Sequence, residues 1–416
     1  MISRKETGMT IFTRSKRGAA FVTGLVLLGT TAACGGGSGS GGGSGPIKVG
    51  VPLGITGPAA GTADWDRMGV ELSVKQINAD GGIDGRKVKA VFVDTELDPA
   101  KAVTATNRLI NEEKVDLVVG PMTSDETLAT LPALSRANIP SINGAGSKLD
   151  PKVAPYSFGM LLNAEYQGQK MVDYAVSEYG AKKVAVISYS GTQGKVGREA
   201  IEKQLKVKGV EESAGQEYDI PVTDLSSQVL ALKKGNPDVV LAFPQTGNDT
   251  GLLVQAMRDA NLDVPVVGSY ATTYAGQAKA VAGPDAYKNF VSVSWPAFSA
   301  CSTSDVRTEA TDFIAEVKKT YGEKRTTGAA FDNIASFRDA LWLLKAGIEG
   351  SKSTDAKKVT SWLAKNETAA AKKQPLVHNA YALSDDSRFL MDPDSLTLVN
   401  AGTEVVPGII QRIDGC

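Results

Sequence analysis

The chain is poor in reactive side chains. In 416 residues it has one histidine and three cysteines, and its aromatic content is 6%. The lone histidine, His378, lies in a polar segment with no nucleophile motif beside it. A Ser–His or Cys–His catalytic pair therefore has nothing to build on, and a surface position is expected for His378. No GxSxG, HExxH or P-loop pattern occurs; Gly191, Gly194 and Lys195 stand too close together for a phosphate loop. A GxGxxG after the first strand is missing too, so no nucleotide, cofactor or metal is expected, and the chain is expected not to be an enzyme. The formal net charge of −1 offers no basic surface for nucleic acid. Beyond residue 33, no segment approaches the 18 uninterrupted apolar residues of a membrane span.

The first 33 residues differ from the rest. Arg14, Lys16 and Arg17 precede an apolar run over 19–29, followed by Thr31, Ala32, Ala33 and Cys34. This basic, apolar, small-residue order is that of a secretory signal. Cleavage just before a cysteine resembles a bacterial lipobox, with Thr31 where leucine is usual. It implies a signal peptide over 1–33 and lipid attachment at Cys34. Residues 35–45 are all glycine and serine, a flexible tether suited to a membrane anchor. Its root-mean-square reach is roughly 18 Å. Cleavage would remove five basic residues and one acidic residue, leaving a net charge of −5. Cys301 and Cys416 would then remain in an oxidising compartment, and the spacing leaves a disulfide and two free thiols equally open.

From Ile47 onward, short apolar runs alternate with helical periodicity. Strands are expected over 47–53, 88–93, 115–119, 183–188, 238–243, 264–268 and 290–294. Helices are expected over 65–78, 99–111, 164–179, 196–208, 249–260, 276–281, 305–321, 329–349 and 354–365, before a β-rich tail over 381–413 with a turn at Ser384, Asp385 and Asp386. Such alternation predicts doubly wound parallel sheets, and the number of units is too large for one sheet of ordinary width. Residues 115–147 form the informative unit. A buried-type strand ends at Gly120 and Pro121; Thr123 and Glu126 fit a capping box, and a helix follows to about Ala137, with a kink expected at Pro132. A second strand ends in the small-residue loop Ala145, Gly146 and Ser147. Ligands of open α/β sheets sit at the carboxyl ends of strands, and helix-start N–H groups beside hydroxyls suit a carboxylate. Thr123 and Ser124 would also serve as simple helix caps. Two adjacent hydroxyls facing a second loop favour a binding site.

These pieces together resemble the type I periplasmic-binding fold, and within it the leucine/isoleucine/valine-binding solute receptors of ABC importers. The resemblance rests on the order and spacing of Ile47-Lys-Val-Gly-Val-Pro-Leu, Gly57-Pro58, Gly69-Val-Glu-Leu with Ile77-Asn-Ala-Asp-Gly-Gly-Ile83, Asp94 with Asp98-Pro99, Val119-Gly-Pro121, Ile139-Pro140 and Tyr166-Gln-Gly168. It implies two doubly wound parallel-sheet lobes joined by a three-crossover hinge, with crossovers near Phe158, Val293 and Ala371. Lobe one would take 46–157 and 294–371, and lobe two 158–293 and 372–416. It further implies a ligand carboxylate held at Ser124 and at Ala145, Gly146 and Ser147, covered by a loop carrying Thr62, Asp64 and Trp65. Gln193, Thr246 and Tyr270 are the matching positions of the second lobe. Relatives that bind amino acids place an acid at the last of these; here Tyr270 or Ser269 stands there, so a small organic acid or amide is expected over an α-amino acid unless Asp64 or Asp249 reaches the pocket. Expected partners are a small-molecule ligand, the permease and ATPase of an importer, and the outer face of a bacterial membrane through the lipid. A ligand-sensing receptor subunit is the alternative, and a secreted α/β enzyme a weaker one. No membrane span follows the fold in this sequence, which favours the importer.

Overall fold

The computed structural model describes residues 45–366, 374–379, 381–382, 388–392 and 395–416. The signal segment, Cys34, the tether through residue 44, the crossover expected near Ala371 and the turn at Ser384 to Asp386 lie outside the described residues.

The first sheet and its helices are β1 (Ile47–Leu53), α1 (Ala60–Ala79), β2 (Val88–Asp94), α2 (Pro99–Arg108), β3 (Leu117–Val119), α3 (Ser124–Arg136), β4 (Ser141–Asn143) and β5 (Ser157–Gly159). The chain then builds α4 (Ala164–Tyr179), β6 (Lys183–Tyr189), α5 (Thr192–Lys208), β7 (Glu211–Tyr218), α6 (Ser226–Lys234), β8 (Val239–Phe243), α7 (Gly247–Asp259), β9 (Val266–Gly268), α8 (Ala275–Ala282), β10 (Phe290–Ser294) and β11 (Ser299–Ala300). There follow α9 (Thr308–Tyr321), α10 (Glu323–Thr326), α11 (Phe331–Ser351), α12 (Ala356–Lys365), β12 (Thr397–Val406) and β13 (Ile409–Arg412).

Two sheets result. One has five strands in the order β2-β1-β3-β4-β5, all parallel; the other has eight, in the order β11-β13-β12-β10-β9-β8-β6-β7. The fold is α/β, as the alternating pattern implies. Each sheet with the helices packed on it forms a lobe. Interior strands such as β1 and β8 are apolar on both faces because helices cover both sides. The edge strand β7 reads EESAGQEY, and its polarity is what an open sheet edge tolerates. That polarity is also why the sequence pattern does not reveal it.

Helix α11 is the spine of the first lobe and is buried from Phe331 to Ile348. It packs along α1, where Gly69 lets the two backbones approach: a Cβ there would strike the carbonyl oxygen of Ile334. Asp339, midway along α11, is fully buried. It accepts from Arg338 Nη1 at 2.7 Å, the Val377 and His378 amides at 2.9 Å each, and the Tyr381 hydroxyl at 2.8 Å. Its donors thus tie Val377, His378 and Tyr381 to the first lobe, and the Leu390 amide donates to Gly159 O at the end of β5. This stretch was expected in the second lobe. Two other boundaries also move. Phe158 lies inside β5 of the first sheet, and Val293 inside β10, with the chain held in the second sheet through Ala300 because β11 pairs with β13. His378 is not at the surface. It is buried against Trp295 with ring centroids 4.4 Å apart, and Nε2 lies 2.9 Å from Asp332 O and 3.1 Å from Ser336 Oγ. Burial lowers its pKa. Cys301 and Cys416 are joined by a disulfide, with Cα atoms 5.7 Å apart.

Candidate functional site

In each sheet the strand order reverses direction beside its first strand, at β1/β3 and at β6/β8. Loops leaving the carboxyl ends of strands diverge at such a point and leave a crevice. Contacts between the lobes, such as that of Gln193 with the Gly146 loop, bring the two crevices together, and Thr123, Ser124, the 145–147 loop, Gln193, Thr246 and Tyr270 all follow strand ends.

From the first lobe, Thr123 caps α3: its hydroxyl accepts from the Glu126 amide at 3.4 Å. The Glu126 carboxylate also accepts from the hydroxyls of Thr123, at 2.8 Å, and Thr95. The helix runs on through Pro132. Ser124, 1% exposed, points to the second loop, and its Oγ accepts from the Gly146 amide at 3.1 Å and the Ser147 amide at 3.2 Å. Ala145 donates its amide to Asn143 Oδ1 at 3.1 Å. Ser147 Oγ and Asn143 Nδ2 are buried with no hydrogen-bond partner in the protein. The Ser124 hydroxyl, gathered by two N–H donors, has its own proton free to donate. This is a local arrangement for holding an acceptor such as a carboxylate.

Trp65 was expected on a covering loop; it lies within α1, because the helix starts at Ala60. Its ring meets Tyr274 edge-on at 5.5 Å, and Tyr274 meets Tyr270 edge-on at 5.8 Å. All three rings are buried. Tyr270 follows β9 in a single tight turn, its amide held by Gln167 Oε1 at 2.8 Å. Gln193, in the first turn of α5, packs against the Gly146 loop, and a Cβ at Gly146 would strike its Nε2. Thr246 serves a local end. It forms the capping box of α7 with Asp249, whose Oδ1 accepts from the Thr246 hydroxyl at 2.8 Å and whose Oδ2 accepts from the Gln245 and Thr246 amides at 3.1 and 3.2 Å. Asp249 is thereby occupied. Asp64 is on the outer side of α1, ion-paired with Arg325. Ser269 is buried, its hydroxyl without a partner.

Several residues of the cleft were not anticipated. Tyr274 donates to Asn333 Oδ1 at 3.5 Å, across from one lobe to the other. Asn333 Nδ2 donates to Asp66, whose other carboxylate oxygen has no partner although the residue is 1% exposed. Burial raises the pKa of Asp66 and pushes that of Asp332 up to about 6. Thr62 Oγ1 accepts from Gln277 Nε2 at 3.2 Å, another bond between lobes. Thr62 and Asp66 share one face of α1 at the i, i+4 spacing, a signal legible in the sequence. Nothing in the sequence pairs Asp66 with Asn333, 267 positions away. Among the described residues, no cluster of three or more histidine, cysteine or acidic side chains is placed to hold a metal.

A fold of two sheets with facing strand ends and a polar, aromatic-walled crevice defines a class of solute receptor. The chain belongs to the periplasmic binding protein family, whose model matches residues 46–385. It is a solute-binding protein of the leucine/isoleucine/valine-binding type, and its relatives are binding proteins rather than enzymes. It is 28% identical to Leu/Ile/Val-binding protein homolog 3 of Brucella melitensis, covering 74% of this chain and 80% of that one. An amino acid binding protein of Pseudomonas aeruginosa is 31% identical over 54% of this chain, and the match spans 64% of that relative's length. A periplasmic binding protein type 1 from Bordetella pertussis superposes with a TM-score of 0.75 at 24% identity, over 88% of this chain and 99% of that one. A Streptococcus pneumoniae substrate-binding protein, LivJ, gives 0.69 at 23% identity, over 88% and 99%. A Rhodopseudomonas palustris solute-binding protein gives 0.73 at 19%, over 88% and 95%. The family implies a place outside the cytoplasm, and no described helix is long and apolar enough to cross a membrane.

Proposed function

We propose that the protein is the lipid-anchored receptor of an ABC importer, which captures a small carboxylate-bearing solute between its lobes and delivers it to a membrane permease and its ATPase. The observation that carries this reading is the meeting of the lobes around the Ser124 site: the Gly146 loop against Gln193, and Trp65 and Asn333 of the first lobe against Tyr274 of the second. The solute's carboxylate takes the Ser124 hydroxyl, and its body lies against Trp65 and Tyr270. The chain's passages between the sheets, after Gly159 and after Ala300 among the described residues, act as the hinge.

Two ligand classes divide the structural neighbours. The Streptococcus pneumoniae protein was solved with isoleucine and the Rhodopseudomonas palustris protein with 3,4-dihydroxybenzoic acid. With Asp249 and Asp64 occupied elsewhere, the organic acid is the reading we favour. The unpartnered oxygen of Asp66 favours the other: a buried carboxylate near Tyr270 and Tyr274 suits an ammonium. Calorimetric titration of leucine, valine, phenylalanine, their deaminated analogues and 3,4-dihydroxybenzoate decides between them. The deaminated or aromatic acids are expected to bind. Tight binding of the amino acids with the analogues ignored would return the protein to the amino-acid branch of its family, and Asp66→Asn should then weaken them.

The anchor is tested separately. In a bacterial host, Cys34→Ala is expected to move the protein from the membrane fraction to the soluble extracytoplasmic fraction. Retention of that variant in membranes defeats the lipoprotein reading without touching the solute site.

A further inference from the structure

Helix α5 begins without a cap of its own. Its N-cap residue is Gly191, in extended backbone and with no side chain to accept from the first turn. A helix start of this kind leaves N–H donors and positive dipole charge unsatisfied, and an acidic side chain is the best partner for both. The partner is present, but it comes from the other lobe. Asp125, in the first turn of α3, accepts from the Thr192 amide at 3.1 Å through Oδ1 and 3.2 Å through Oδ2, and it also accepts from the Thr192 hydroxyl. The two residues are 67 positions apart and stand on helices of different sheets. The glycine fits a close site: a Cβ at Gly191 would lie 2.8 Å from Asp125 Oδ2 and closer still to the Tyr189 ring. Beside the contact is a cleft of about 480 Å³, lined by Thr123, Asp125, Tyr189, Gly191 and Gln245 from both lobes. Asp125 also directly follows Ser124, the hydroxyl that gathers the Gly146 and Ser147 amides.

We infer that Asp125 is a positioning residue for solute capture: by capping α5 across the cleft, it holds the lobes together and so sets the affinity for every solute without touching any of them. When the lobes part, Asp125 and the α5 N-terminus both return to water. When they close, one carboxylate satisfies an amide, a hydroxyl and a helix dipole together. A solute that binds the closed form has an apparent affinity proportional to the closed fraction. A latch that raises this fraction therefore strengthens all solutes by one factor and leaves the ratios between them alone. Thr62 with Gln277 and Tyr274 with Asn333 also bridge the lobes, at 3.2 and 3.5 Å, but these are neutral pairs. The Asp125 bonds are the charge-assisted ones, and such bonds are the stronger kind.

This inference rests on the reading that the solute binds between the lobes, and the test separates the two. Asp125→Ala, Asp125→Asn, Thr192→Val and the double variant Asp125→Ala/Thr192→Val are compared with the parent. Ligand-free samples are examined by small-angle scattering and by amide exchange at Thr192. Affinities are then measured for whichever of leucine, phenylalanine, their deaminated analogues and 3,4-dihydroxybenzoate bind the parent. Asp125→Ala is expected to enlarge the ligand-free radius of gyration and speed exchange at Thr192. Affinities should fall about 10–30-fold, equal to about 1.4–2 kcal/mol at 1.4 kcal/mol per tenfold, with their ratios unchanged. Asp125→Asn, which still accepts, should fall between. Adding Thr192→Val to Asp125→Ala should cost less than twofold more, since the partner is already gone. An unchanged radius and unchanged exchange in Asp125→Ala overturn the inference. So does a change in the ratio between solutes, which would mean direct contact, and so do fully additive effects in the double variant. If none of the compounds binds the parent, the proposed solute class fails, while scattering and exchange still decide the latch.

Discussion

Replacing Ser124 with alanine is expected to weaken solute binding by roughly 10–150-fold, because a hydrogen bond to a charged group is typically worth about 1.5–3 kcal/mol. Ser124 Oγ lies at the one point where two backbone amides of the next loop converge, and it is buried, so no bulk solvent replaces it. On the proposed reading, its proton is the donor that the solute carboxylate meets. The variant also strips the Gly146 and Ser147 amides of their acceptor in the empty protein. A bound carboxylate then takes them up, which offsets part of the loss and sets the lower end of the range. Titration calorimetry gives the affinity, and far-ultraviolet circular dichroism establishes that the variant is folded. An affinity within twofold of the parent would remove Ser124 from the solute site. The effect differs in kind from that expected of Asp125→Ala. A carboxylate ester or amide of a binding acid should already be weak with the parent and lose little further in Ser124→Ala, whereas loss of the latch weakens all solutes alike.

The second large effect concerns the Cys301–Cys416 disulfide. It closes a loop with a sequence separation of 115 residues. In the chain-entropy model, a loop of about 100 residues restricts the unfolded chain by about 4.7 kcal/mol, and typical measured values are 2–4 kcal/mol. The bond joins the segment after β11 to the residue chain beyond β13, two strands already paired in register. The native geometry is therefore kept when the bond is cut, and the loss falls on stability rather than on shape. The double variant Cys301→Ser/Cys416→Ser, and the parent under reductant, are both expected to unfold at lower denaturant concentration by about 2–4 kcal/mol, with solute affinity preserved. Unfolding midpoints indistinguishable from the oxidised parent would show that the bond adds nothing.

The chain shows how far a sequence carries such a reading. Apolar runs over 47–53 and 183–188 announced interior parallel strands, since a strand covered on both faces must be apolar on both. Thr123, Ser124 and the 145–147 loop could be singled out because small residues and hydroxyls at a strand end have local consequences: caps, free amides and close approach. Strand β7 escaped because an edge strand carries no hydrophobic pattern. His378 is buried although its stretch, Pro375-Leu-Val-His-Asn379, shows no strand or helix periodicity that would announce a core position; its neighbours in space are Trp295 and Phe298.

What the sequence determined by itself was the α/β alternation, the family and the two loops of the first lobe, because each depends on interactions within a few tens of residues. What only the tertiary structure decided was which distant groups share a site. The resemblance alone placed Thr246 at the solute site and left Asp249 open to it, and the folded chain shows that they also form the capping box of α7. The pairing of Asp66 with Asn333 joins positions that no periodicity relates, as do the Cys301–Cys416 bond and the capping of α5 by Asp125. Such contacts depend on how elements distant in sequence are packed, within a lobe for Asp66 with Asn333 and for the disulfide, and between the two sheets for Asp125 with α5. That arrangement is the sum of many weak packing contacts spread over both lobes, and no short stretch of sequence encodes it.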